Sequence, residues 1–250
     1  MSKETKETFR IRKAIYKGYR GKGFRKLFED EFNGLLGTAY IGKDYKDLIK
    51  TCRVKSDFER DLRIYQGKFY AESKAFTFAN AAYNLTNMGF SILRKLYQHY
   101  KGGAFLDYGA GVGNCNILVG GGDYLELGGI AFKTAEKRFT DRLLPVVLIK
   151  ARSDRYTKLD KMYDFIVCTD VLEHVPFAHK LITNLCSQLN PNGKLLITYS
   201  FGTADKNKTH LPKYNKRTGR EILKIIRDSD MDFIDKDFKG IVKVYKKRGE

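Results

Sequence analysis

At 250 residues with 42% apolar side chains, the chain is long enough for one sizeable α/β core plus an extra lobe. No apolar run approaches the roughly 18 residues of a membrane span, and the opening MSKETKETFRIRKA is charged where a secretory signal would be apolar, so a soluble, cytoplasmic protein is expected. The four cysteines, Cys52, Cys115, Cys168 and Cys186, form no C-x-x-C pair, which argues against a disulfide framework or a zinc knuckle.

The net charge of +18 is unevenly spread. Residues 1–100 carry 21 basic against 11 acidic side chains, residues 101–200 carry 12 against 10, and residues 201–250 carry 14 against 8. A near-neutral middle between basic flanks suits a polyanionic substrate, since neutralised phosphates dominate such affinities. A lysine-rich solvated surface produces the same count.

Along the chain, FRIRKAIYKGYRGKGFRKLF mixes cations with aromatics and is broken by Gly18, Gly21 and Gly23. Short helices and loops are expected there, within a basic, mainly helical extension or lid over residues 1–80. A clearer helix follows, with Leu85, Met88, Ile92 and Leu96 at helical spacing and Lys101, Gly102 and Gly103 as its end. From there AFLDY, DYLEL, PVVLI, DFIVCT and KLLITYS alternate with helical stretches. Strand, helix, strand repeated in this way predicts a doubly wound, mostly parallel sheet over residues 81–250. Asn192 and Gly193 read as a turn into the fifth strand, and Thr218 with Glu221 as a capping box ahead of EILKIIRDSD. MDFIDKDF and IVKVYKKR then form a closing antiparallel pair.

In such a sheet, ligands lie at the carboxyl ends of the strands, where strand order reverses. The loop after the first strand, FLDYGAGVGN, offers Gly109, Ala110, Gly111 and Gly113, with Asn114 where a dinucleotide fingerprint has its third glycine. No Lys-Ser/Thr ending marks a triphosphate cradle. Side-chain-free residues let the backbone approach a ligand closely. Acids stand at strand ends: Asp107, Glu126, Asp154 and Asp170. Four carboxylates on one rim suit a cationic ligand rich in donors, and Glu126 can accept from both hydroxyls of a ribose.

With LDYGAGVGN, the acid Glu126, ARSD before YDFIVC, and TDVLEHV after the fourth strand, the sequence resembles the class I S-adenosylmethionine-dependent methyltransferases from about Gly103 onward. The resemblance implies a seven-stranded, Rossmann-like sheet with an antiparallel last strand, and S-adenosyl-L-methionine as cofactor. It implies that Gly109, Gly111 and neighbouring amides lie against the methionine and ribose, and that Asp107 helps hold the amino group. Glu126 would take the ribose hydroxyls, and Asp154 the adenine amino group with the Ser153 amide beside it. Asp170 would begin the loop at the methionine end. The short spacing from Gly113 to Glu126 leaves room only for a stubby helix and keeps Asp123 as a rival for the ribose.

TDVLEHV puts Asp170, Glu173 and His174 at i, i+3 and i+4, which one helical turn would align. These are the candidate catalytic residues, with His174 as a general base. The pattern looks like that of two metal-assisted groups, the ubiquinone-pathway O-methyltransferases and the small-RNA 3′-terminal 2′-O-methyltransferases, with His210 as a further ligand candidate. Asp170, Glu173, His174 and His210 are therefore the alternative metal set; relatives with this motif also work without a divalent cation. His99 and His179 read as packing or surface residues, and Tyr199, Ser200 and Phe201 end the fifth strand where acceptor pockets form. No Asp/Asn-Pro-Pro-aromatic motif and no Pro-Cys nucleophile is present, which leaves oxygen or ring-nitrogen acceptors. RNA is favoured by Tyr16, Tyr19, Phe24 and Phe28 among Arg12, Lys13, Arg20 and Lys22, aromatics stacking bases while cations follow phosphates. A small-molecule or quinol-like acceptor is the alternative, and a non-catalytic cofactor-binding scaffold is the reading of another class.

Overall fold

The computed structural model describes Thr77, Asn80 and residues 87–152, 156–201, 210–211 and 216–249. Expectations for residues 1–76, including the basic lobe and Cys52, and those for Leu85, Ser153 and Asp154, lie outside the described residues.

Helix α1, Asn87–His99, buries Ile92, Leu93 and Leu96, residues the helical period aligns. Strand β1, Phe105–Tyr108, leads into the short helix α2, Asn114–Val119. Strand β2, Gly122–Leu127, helix α3, Ile130–Asp141, and strand β3, Val146–Ala151, complete the first half. The second half holds β4, Tyr163–Cys168; α4, Ala178–Ser187; β5, Leu189–Ile197; α5, Lys216–Asp228; β6, Met231–Asp237; and β7, Val242–Lys247.

The strands form one seven-stranded sheet in the order β3-β2-β1-β4-β5-β7-β6. Only β7 runs against its neighbours, pairing antiparallel with β5 and β6, which bears out the doubly wound expectation and the closing hairpin. Both faces are covered. Val167, Leu196, Val242 and Val244 face one core with α1 and α2, while Ile166, Leu195, Ile197 and Tyr245 face another with α4 and α5. Strand order reverses between β1 and β4, and the loops after both meet there.

Two local readings change. β5 starts at Leu189 and runs through Asn192, which adopts a positive φ of 65° beside a register shift against β4, so the Asn-Gly pair is an irregularity within the strand. α5 starts at Lys216, so Thr218 is buried inside the helix instead of capping it, and Glu221 accepts from His179 and Arg217. At the far edge, α1 is fastened to β6: Lys95 and His99 reach Asp235 at 2.7 and 2.6 Å, and Arg94 pairs with Asp237.

Candidate functional site

At the first strand end, the amides of Gly109 and Ala110 donate to Leu125 O at 2.8 and 3.1 Å, lacing the loop to β2. Gly109, Gly111 and Gly113 have φ of 73°, 55° and 76°, the left-handed region that side chains resist. A Cβ on Gly109 would lie 2.3 Å from Val171, one on Gly111 2.7 Å from the Asn80 amide, and one on Gly113 2.2 Å from the Phe139 ring. The glycines thus answer to protein neighbours and backbone hand, beyond the ligand approach read from sequence. Asn114 accepts from Arg138 at 2.9 Å, and the same buried guanidinium donates to Val112 O. Tyr124 Oη donates to Gly111 O at 2.6 Å. The loop is fixed from below by α3 and β2.

Two carboxylates face this loop. Glu126 accepts from the amides of Gly111 and Leu127, each at 2.6 Å. Burial pushes its pKa up, and the two amides oppose that. Asp107 is 3% exposed and has its pKa raised to about 7, chiefly by burial; a hydrogen bond from Cys115 works the other way, and the nearby charge of Glu126 adds to the rise. Its Oδ2 meets no hydrogen-bond partner among the described residues. A buried carboxylate oxygen left without a donor, beside a second carboxylate, suits a cationic group bearing N–H donors. Asp123 stands apart from the rim: it is buried near the start of β2, bound to Lys161 Nζ at 2.8 Å and to Tyr163 Oη at 2.8 Å.

The second strand end differs. After β4 the chain makes a turn, and α4 does not begin until Ala178. Asp170 has φ 55° and exchanges hydrogen bonds with Thr198, its amide donating to Oγ1 at 2.9 Å and its carboxylate accepting from it at 2.7 Å. That left-handed residue breaks the helical turn expected for TDVLEHV, so Asp170, Glu173 and His174 do not line one helical face. Glu173 is 1% exposed and accepts from the Ser200 amide at 3.0 Å. Its carbonyl accepts from Leu211 N at 2.9 Å, which brings in His210. The rings of His174 and His210 meet edge to face at 5.1 Å, and the ligand atoms of Glu173, His174 and His210 all lie within 4.8 Å of one another. His210 joins the group by tertiary contact, while Asp170 stands outside it. His99 and His179 are held by Asp235 and Glu221, away from this cluster.

Sequence reasoning missed Asn80, Val171, Arg138, Phe139 and Thr198. Arg138 falls in a helical pattern where a cation reads as solvated, and no local spacing announces the others.

A family model described as a methyltransferase domain matches residues 86–224, more than half of the chain. The chain belongs to the class I S-adenosylmethionine-dependent methyltransferases. Among curated members, the ubiquinone biosynthesis O-methyltransferase of Rickettsia felis is 30% identical over 100 residues, covering 33% of this chain and 39% of that protein. Its counterpart in Rickettsia canadensis is 28% identical over 102 residues, covering 34% and 42%. The alignments thus span about two fifths of the length of these curated relatives. An O-methyltransferase family protein from Burkholderia thailandensis superposes with a TM-score of 0.54 at 14% identity, over 82% of this chain and 67% of that one. The [4+2]-cyclase SpnF superposes with a TM-score of 0.52 at 13% identity, over 69% and 83%. At such identities the likeness is one of fold, and a cyclase on the same fold underlines that chemistry belongs to the site. Among the described residues, no helix is long and apolar enough to cross a membrane.

Proposed function

We propose that the chain transfers the methyl group of S-adenosylmethionine to a hydroxyl of a small-molecule acceptor seated beside Glu173, His174 and His210. The observation that carries this reading is the meeting of two imidazoles and a buried carboxylate at the end of β4, next to the glycine loop's carboxylates across the switch point. The Oδ2 of Asp107, without a partner among the described residues, and the rim position of Glu126 support roles for them at the cofactor's amino group and ribose. Gly109, Ala110, Gly111 and Gly113 shape the wall between them.

When bound, the sulfonium supplies an activated methyl group, so the chain's task is alignment and removal of the acceptor's proton. An imidazole beside Glu173 is suited to accept that proton through an unprotonated ring nitrogen. The likeness to the ubiquinone biosynthesis O-methyltransferases of Rickettsia supports an oxygen acceptor of small size. The RNA preference rests on charge and on residues outside the described ones, and none of the matched relatives named above adds weight to it.

A second reading has a specific observation behind it. Two nitrogens and one carboxylate oxygen within 4.8 Å of one another suit a divalent cation such as zinc or manganese. Glu173, His174 and His210 would hold it, and its chemistry would be to lower the acceptor hydroxyl's pKa.

The test is incubation with labelled S-adenosylmethionine and separate pools of small-molecule extract, RNA and protein. Label is expected in the small-molecule pool; label in RNA or protein alone overturns the acceptor class, and cofactor binding with no transfer to any pool identifies a scaffold. Chelation that stops transfer, with manganese restoring it, selects the cation; a chelator-insensitive rate lost in His174→Ala or His210→Ala selects the base.

A further inference from the structure

The residues that follow β5 connect the imidazole cluster to a second group of donors. Ser200, whose amide serves Glu173, lies between Tyr199 and Phe201, whose rings stack at 5.2 Å. Gly219 on α5 covers both rings: a Cβ there would sit 3.6 Å from Phe201 and 3.9 Å from Tyr199. On the neighbouring β7, Lys243 is paired with Ile197. Val242 and Val244 point into the core on the α1 side, so alternation directs Lys243 to the α5 side with Tyr199. Its Nζ lies 4.5 Å from the centroid of the Tyr199 ring.

Among the described residues, neither polar group has an acceptor. Lys243 is half-buried, and among the described residues no carboxylate pairs with it; burial alone draws its pKa below the ordinary lysine range. The contrast with Lys247 on the same strand is instructive, since that ammonium donates to the carbonyls of Cys186 and Leu189. Tyr199 Oη is buried and has no hydrogen-bond partner among the described residues. A half-buried ammonium beside a buried phenol with no acceptor among the described residues is a costly combination that an anionic group would complete. The ring face offsets part of the ammonium's loss but leaves its N–H donors unfilled.

We propose that Lys243 and Tyr199 form a subsite for an anionic group, a carboxylate or a phosphate, carried by the methyl acceptor. The acceptor role rests on the proposed O-methyl transfer; the anion site itself does not. The anion accepts from the ammonium and from the phenol, and the link through Ser200 to Glu173 ties its place to that of the reacting hydroxyl. Lys243 is then a specificity residue, selecting acids over their neutral analogues.

The test uses the full chain saturated with S-adenosylhomocysteine and titrated calorimetrically with inorganic phosphate, benzoate and the neutral isostere benzamide. Benzoate or phosphate is expected to bind at least about tenfold more tightly than benzamide, the scale of one charge-assisted hydrogen bond. Lys243→Met should abolish the difference, Lys243→Arg should retain much of it, and Tyr199→Phe should reduce it, all with unchanged S-adenosylhomocysteine affinity. The stronger of phosphate and benzoate identifies the source of the charge. Protection of Lys243 from acetic anhydride by the bound anion gives a readout independent of turnover. Absence of saturable anion binding, or a preference that persists in Lys243→Met with the cofactor site intact, overturns the proposal. Anion selectivity in a protein that transfers no methyl group would leave the subsite standing and remove the O-methyl reading.

Discussion

The two ends of the switch point are built by different physics. At the β1 end, left-handed glycines are pressed against Val171, Asn80 and Phe139, and the carboxylates of Asp107 and Glu126 are drawn out of water beneath them. At the β4 end, a turn and a distant loop residue bring Glu173, His174 and His210 together through side chains. The first end is made by backbone shape, the second by proton-bearing groups. Binding and chemistry should therefore respond to separate substitutions.

The sharpest way to break this division is Gly111→Arg, which puts a side chain where a Cβ already lies 2.7 Å from Asn80, at φ 55°. S-adenosylmethionine binding should fall below detection in calorimetry while the sheet remains folded by circular dichroism. Undiminished affinity would remove the loop from the site. Next in size, His210→Ala and Glu173→Gln should lower kcat by about 10²–10⁴, the range for a positioned acid or base, with little change in cofactor Kd. A cofactor Kd that moves in step with kcat would merge the two ends into one. Glu126→Ala is smaller: about 1–3 kcal/mol of cofactor affinity, since hydroxyl donors lose a charged acceptor. Asp123→Asn should leave that affinity alone, because its partners are Lys161 and Tyr163.

The subtlest is the pH response of Asp107. Its folded pKa of about 7 lies above the ordinary carboxyl value, so its contribution to the stability of the ligand-free protein is complete below pH about 4 and is lost as pH rises through about 7. Denaturant unfolding of Asp107→Asn should show a flatter stability profile across that window. An identical slope in wild type and variant would mean that another group titrates there.

The sheet was legible because each strand is a short apolar run between helical patterns, and parallel pairing follows from that alternation. LDYGAGVGN and the acid of DYLEL were legible because strand and turn carry them to the rim together. The helical turn of TDVLEHV failed because the hand of Asp170 is set by Thr198, 28 residues away. His210's partnership depends on a backbone bond from Leu211 to Glu173 that local spacing does not encode. Arg138 escaped notice for the converse reason: in sequence it is an ordinary helix cation, and only the fold inverts its solvation by placing the glycine loop over it.

Titration calorimetry of S-adenosylmethionine against the wild-type chain at a series of pH values measures the nest that all of this presupposes. One molecule should bind per chain, with affinity rising as pH approaches about 7 and Asp107 takes up its charge. Absence of binding, or binding untouched by both Gly111→Arg and Glu126→Ala, would contradict it.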